Sequence, residues 1–427
     1  MPERPAETFQ RVRARTHRLF SLIRPEAYYA RPIPLRHPIV FYAGHLDAFN
    51  WQLLFDGALG QASVQPTFDR LFARGIDPAD RTAVGAVPDW PSRAQVQRYA
   101  GAIERRFRQY LQPDSGDSPG SDQPGETLIH LLLEHELMHQ ETLLYLIHQL
   151  PHDLKCPPDH LPAPDLSPAP PPSTVTVPAG SARLGAAAGE YPFVWDNELP
   201  GHDEAVPAFA MDVHNVTNGE FLAFVETGGY RRREFWTEAT WHWRQTGNVS
   251  HPTFWHQQHG EWSLRDLLTD LPLPMSWPVY VTYAEADAYA RAAGKRLPSE
   301  AEWHRAAYGD TQTRRYPWGD AESGRCGNTD FHRWSCTPVG SNGAVSPVGI
   351  HDLVGNGWEW TATPFAPFAG FRADPRYPGY SADFFDGQHL LLKGGSCFTD
   401  RRLLRRSFRN WFYWHYPYHY ATFRTVA

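Results

Sequence analysis

The chain has 427 residues, a formal net charge of −7 and 41% apolar side chains, with sixteen tryptophans. That length exceeds one typical domain and predicts two packed cores, while scattered, mildly acidic charge speaks against nucleic acid or an anionic membrane surface as partner. Four widely spaced cysteines (Cys156, Cys326, Cys336, Cys397) form no C-x-x-C, hence neither a disulfide framework nor a zinc knuckle, and point to a reducing compartment. The arginine-rich N-terminus lacks an apolar signal core, and no apolar run is long enough for a membrane span. A cytoplasmic, monomeric protein is expected.

In chain order, periodicity predicts helices over about 6–24, from His45 after Gly44 through HLDAFNWQLLFDGAL, over 92–111 with Ser92 as cap, and over about 127–150. The last is apolar on a wide face, as the interior of a bundle requires. DSGDSPGSDQPG (114–125) reads as a polar, mobile loop. Four helices with short to medium connections predict an up-down bundle over 1–156. The proline-rich stretch PPDHLPAPDLSPAPPPSTVTVPAG then predicts an extended linker, 157–176, without helix or sheet. From 177 to 427 the texture changes to short strands, glycines and tryptophan-rich turns. Two helices stand out, one from Thr282 to a stop at Gly294 and one after the cap Ser299. The fold class expected is α+β in two domains.

The bundle carries a motif with chemistry. His135-Glu136-Leu137-Met138-His139 is H-E-x-x-H, and histidines four apart on a helix point the same way and can grip one ion. The bland reading is a polar pair at a helix interface. A zinc protease would use Glu136 as general base, but it needs a third ligand downstream, where only the helix end and the prolines follow. Upstream, His45 in FYAGHLDAFNW is the available third ligand. Three neutral imidazoles leave positions open, which suits Fe(II) binding substrate and oxygen; Zn, Ni or Cu accept the same donors. Glu141 lies about 200° around the helix from His139, and His130 is also off the ligand face.

The C-terminal half carries GKRLPSEAEWHRAAYG, YPWGD, PVGSNGAVSPVGIHDLVGNGWEWTATPF, LLKGGSCF and FRTV. These resemble the formylglycine-generating-enzyme fold, related to C-type lectins and poor in regular structure. Cys397 alone follows the Gly-Gly-Ser, so the paired-cysteine chemistry of those enzymes is not implied. A DinB-like four-helix, three-histidine domain joined to this fold resembles the ergothioneine sulfoxide synthases, non-haem Fe(II) enzymes that use O2 to join a sulfur donor to C2 of the imidazole of hercynine. The resemblance implies His45, His135 and His139 as iron ligands, with Glu141 completing the family's H-x3-H-x-E. It implies Tyr377 and Tyr380 as the paired tyrosines, one a proton donor or relay, and Asn410 and Trp411 as contacts to hercynine, Trp411 and its neighbours lining the trimethylammonium pocket. Met138 stands where the family has a glutamine, which removes one hydrogen bond to the substrate imidazole.

After Asn-Trp, relatives that use γ-glutamylcysteine carry an acidic residue and later an arginine. This chain has Phe412, Tyr413 and Tyr416 in an aromatic stretch, which predicts a wall for a neutral, hydroxyl-rich donor; the alternative is the packed end of a domain. Together with RPIPLRHPIVFYAGHLDAFNW, this resembles the selenoneine-forming branch, which joins a selenosugar to hercynine. The alternative is an ergothioneine synthase using cysteine or γ-glutamylcysteine. Rivals from other classes are a zinc thiol transferase on the same bundle and a non-catalytic, lectin-like binding protein.

Overall fold

The structure, a computed structural model, describes residues 4–63, 65–73, 90–112, 125–311, 313–320 and 326–427. Nearly all of the loop expected at 114–125 lies outside the described residues. The chain divides into two compact units, Met1–His160 and Leu161–Ala427.

The first unit is helical: α1 (Pro5–Ser21), α2 (Ile39–Asn50), α3 (Pro66–Phe72), α4 (Arg93–Tyr110) and α5 (Glu126–Gln149). Ser92 caps α4 by accepting from the backbone of Gln95, whose side chain returns the bond, so that end forms as the sequence predicts. The second helix does not begin after Gly44. It starts at Ile39, behind Pro38, and runs without a break into a π-helical segment, Trp51–Ala58. The run Ile39-Val40-Phe41-Tyr42 is buried in the bundle, and this burial outweighs the weak helix preference of β-branched and aromatic residues. His45 therefore sits inside a helix and not at its start. Ile23 bridges Lys155, and the amide of Cys156 donates to Leu22, tying the chain beyond α5 to the end of α1.

The second unit is assembled from short pieces. Strands β1 (Thr174–Val177) and β4 (Phe209–Asp212) pair, as do β2 (Gly180–Leu184) and β3 (His202–Val206). Strands β5 (Trp255–Gln258), β6 (Glu261–Arg265) and β7 (Asp270–Pro272) form a meander. The central sheet orders β10 (Asn410–Tyr413), β9 (His389–Gly395), β8 (Gly357–Pro364) and β11 (Ala421–Thr422), with β11 parallel to β8. Strand β1 lies at the end of the expected linker and corrects it: the β-branched run Thr-Val-Thr-Val finds a partner in β4 despite the prolines before it. Helices α6 (Asn218–Glu226) and α7 (Glu238–Thr246) come unannounced; α8 (Tyr283–Ala292) begins one residue after the expected start, with Thr282 as its cap, and α9 (Glu300–Tyr308) begins at the expected cap Ser299.

The sequence motifs of this unit prove to be its fasteners. Arg424 of FRTV donates from Nη2 and Nε to the two oxygens of Glu359 in NGWEW, at 2.6 and 2.9 Å, both side chains fully buried. Trp303 Nε1 and Asn215 Nδ2 donate to the same carboxylate, at 3.0 and 2.9 Å. Gly355 has φ +99° and a Cβ there would lie 2.8 Å from the Asn328 nitrogen, so this turn accepts only glycine.

Candidate metal centre

Helix α5 brings His135 and His139 together one turn apart, their Nε2 atoms 3.1 Å from each other. From α2, the ring of His45 stands 5.2 Å from that of His135 and 4.9 Å from that of His139. One nitrogen from each of the three lies within 4.8 Å of the others, the only such donor cluster among the described residues. All three are at least 97% buried. The structure therefore brings together the three predicted ligands.

Each ring is also held. His45 Nδ1 donates to the Phe72 carbonyl at 2.7 Å, which fixes the tautomer and leaves Nε2 as a lone pair with no hydrogen-bond partner among the described residues. Phe41 stacks on His45 at 4.8 Å and Phe49 on His135 at 3.5 Å. Burial, and then the neighbouring imidazoles, push His135 far below the ordinary histidine range. Burial does the same to His139, and takes His45 to about 4. The rings are neutral at physiological pH, as metal ligands must be.

The donor set fits a metal ion. Two ligands about 2.1 Å from one ion and roughly at right angles lie about 3.0 Å apart, close to the His135–His139 separation. A buried Nε2 without a partner is costly unless something accepts its lone pair. Neutral imidazoles suit Fe, Zn, Cu or Ni, so the donor set fits a transition metal without singling one out.

Glu136 is turned the other way. Its Oε1 accepts from Thr16 Oγ1 at 2.6 Å and its Oε2 lies 3.2 Å from Arg13 Nε, both on α1. It is not placed to serve as a base at an ion held by the imidazoles, so the protease reading of HELMH fails on geometry. Glu141 accepts from Tyr145 at 2.7 Å, along its own helix. His130 lies 3.5 Å from Glu126, and Met138 is partly exposed on α5.

In the second unit, three expected residues share one aromatic cluster. Tyr380 is 5.7 Å from Tyr377 and meets Trp411 edge-on at 5.3 Å. Trp195 stacks on Tyr380 at 3.8 Å and Phe365 on Trp411 at 4.1 Å. The loop bearing the tyrosines is tied down where Ser381 donates to buried Asp196 and accepts from Asn197. Sequence reasoning missed both: Trp195 lies in none of the motifs, and Phe365 closes one of them without any signal that its ring faces Trp411.

The aromatic stretch after Trp411 does not form one wall. Alternation along β10 puts Asn410 and Phe412 on one face and Trp411 and Tyr413 on the other. Phe412 stacks on Tyr416 at 5.1 Å, and Tyr416 is 3% exposed, packed as core. Tyr413 alone stays with Trp411, exposed, its ring 4.0 Å from that of His389, whose Nδ1 is 2.9 Å from Asp386.

A helical domain with three converging histidines, followed by an irregular domain fastened by Glu359 and Arg424, defines a two-domain class with a candidate metal centre in the first. Residues 8–143 match the DinB superfamily and residues 161–427 the Sulfatase-modifying factor enzyme 1-like domain. The chain is 33% identical to the hercynine oxygenase of Mycobacterium tuberculosis over 441 aligned residues, covering 100% of this chain and 98% of that protein. It is 32% identical to the hercynine oxygenase of Mycolicibacterium thermoresistibile, covering 88% and 84%. Ergothioneine biosynthesis protein 1 of Schizosaccharomyces pombe is 28% identical, over 95% of this chain and 53% of that one. The chain belongs to the hercynine oxygenase family. No helix among the described residues is long and apolar enough to cross a membrane.

Proposed function

We propose that this protein is an Fe(II)-dependent, O2-using oxidoreductase that joins a sulfur donor to the imidazole C2 of hercynine, in ergothioneine-type biosynthesis. The observation that carries the reading is the trio of buried, neutral, converging imidazoles in a chain colinear with the hercynine oxygenases. His45, His135 and His139 would hold the iron, which when bound supplies O2 activation beside the substrates. The chain's own work is to keep these ligands neutral and dry, through burial and the Phe72 carbonyl. In this reading Tyr380, with Tyr377 beside it, holds the proton delivered during oxygen reduction. Asn410 and Trp411 orient hercynine, the indole face suiting its trimethylammonium group.

A second reading concerns the donor. Residues 412–420 contain no acidic side chain and no arginine, so the charged ends of a peptide thiol lack partners there, and leaving such ions unpaired on burial costs several kcal/mol. This favours a neutral selenosugar, with Tyr413 as the platform, and the product would then carry a C–Se bond. The homologues named above support the sulfur reading. The experiment is anaerobic reconstitution with Fe(II), then O2 and hercynine with cysteine, γ-glutamylcysteine or the selenosugar, followed by mass spectrometry. Product with a thiol at comparable efficiency removes the selenosugar reading; turnover without O2 removes both and leaves a zinc-type transferase.

A further inference from the structure

We propose that Arg13 is a positioning residue for the metal centre: one buried guanidinium sets the rotation of both ligand-bearing helices, so that His45 faces His135 and His139. This rests on the metal-binding reading above.

Arg13 is carried by α1, which supplies no ligand, and is 2% exposed. Its Nη1 and Nη2 donate to the two oxygens of Asp47 at 3.1 and 2.8 Å, and its Nε is 3.2 Å from Glu136. Asp47 lies two residues beyond His45 on α2, and Glu136 directly follows His135 on α5. Steps of two and one residue turn a helix by about 200° and 100°, so Asp47 faces away from His45 and Glu136 stands about a quarter turn to the side of His135. A single planar guanidinium that hydrogen-bonds Asp47 through two nitrogens and ion-pairs with Glu136 through the third therefore fixes how α2 and α5 are rolled about their axes. Gln140, which follows His139, repeats the arrangement. Its Nε2 donates to Thr16 Oγ1 and to the Val12 carbonyl, both at 2.9 Å, and its Oε1 accepts from Arg15 at 2.7 Å. The residue after each α5 ligand is thus bonded to α1.

The centre needs such a device. Without an ion, three buried imidazoles converge with one nitrogen each within 4.8 Å of the others, and relaxation would roll the helices until the rings part. Arg13 opposes that roll from the side away from the rings. Lysine, a point charge on a flexible stem, cannot make the same three contacts at once.

The test uses the full chain, metal-free, in wild-type form and as Arg13→Lys and Asp47→Asn. Co(II) serves as the probe, because its visible absorption reports ligand geometry. Unfolding of the metal-free proteins is followed in parallel. Expected are folded variants whose Co(II) affinity falls roughly ten-fold or more, with an altered Co(II) spectrum. Wild-type affinity and spectrum in both variants would overturn the proposal. So would variants that fail to fold even with saturating Co(II), since Arg13 would then hold the bundle and not the ligands. No Co(II) binding by the wild type would overturn the metal reading itself, and with it this one.

Discussion

The imidazole of His45 donates its Nδ1 proton to the backbone carbonyl of Phe72, 2.7 Å away, and the glycine beside His45 makes that approach possible. A Cβ at Gly44 would lie 2.5 Å from the Phe72 ring. The C-terminal residue of α3 thus packs flat on α2, with its carbonyl turned to the ligand. Gly44→Ala is expected to cost about 1–3 kcal/mol by overpacking, offset by about 1 kcal/mol of helix preference. Its diagnostic effect is on the metal: affinity should fall roughly ten-fold or more, measured by titration, as the ring of His45 loses its anchor.

Replacing His45, His135 or His139 with alanine should abolish metal binding at a stoichiometry of about one per chain. Helix content by circular dichroism should stay near wild type, because the bundle is held by its apolar faces. Metal analysis of the purified variants checks this. Full metal content in His45→Ala would remove it from the ligand set.

Tyr380→Phe keeps the stacking on Trp195 and the edge contact to Trp411 and removes only the hydroxyl. It is expected to slow product formation or divert turnover to oxidised donor, with thermal stability near wild type; Tyr377→Phe is the companion. Rates and product ratios equal to wild type in both single variants and the double would show that neither hydroxyl carries the proton.

In the second unit, His304 is fully buried in α9, and both its ring nitrogens lack a hydrogen-bond partner among the described residues. Burial, then the nearby charges of Lys393, Arg406 and Arg409, hold it far below the ordinary histidine range. Below pH of about 6.5 the unfolded chain takes up a proton here that the folded chain refuses, so stability is lost as pH falls. His304→Gln lacks this linkage. Relative to wild type it should gain about 1.4 kcal/mol for each pH unit below about 6.5, and show a constant difference above that. Denaturant unfolding across this range reads the difference directly.

Arg424→Met strands the carboxylate of Glu359 in the core, where its remaining donors are Trp303 and Asn215. Breaking such a pair from one side costs about 3–5 kcal/mol, which should appear as a marked fall in the temperature of thermal unfolding. The double replacement Glu359→Gln/Arg424→Met should recover part of that loss in thermal unfolding.

Much of this was legible in the chain. The i, i+4 histidines in an apolar helix, the caps at Ser92 and Ser299, and the C-terminal motifs follow from rules of short range, where spacing alone sets which side chains are neighbours. Other features depended on contacts between distant segments. The start of α2 at Ile39 was decided by burial of Ile39–Tyr42 against the rest of the bundle, and strand β1 by the partner that β4 offers. The placing of Glu136 needed Arg13, 123 residues earlier, because a carboxylate on a helix takes the partner that packing brings to it. The pleat of β10 separated Phe412 from Tyr413, and packing buried Tyr416, dividing an aromatic stretch that is continuous in sequence. The amino-acid sequence by itself determined the three candidate ligands and where the capped helices α4 and α9 begin. Only the tertiary structure decided which way each side chain faces, since that is fixed by the surface each element buries.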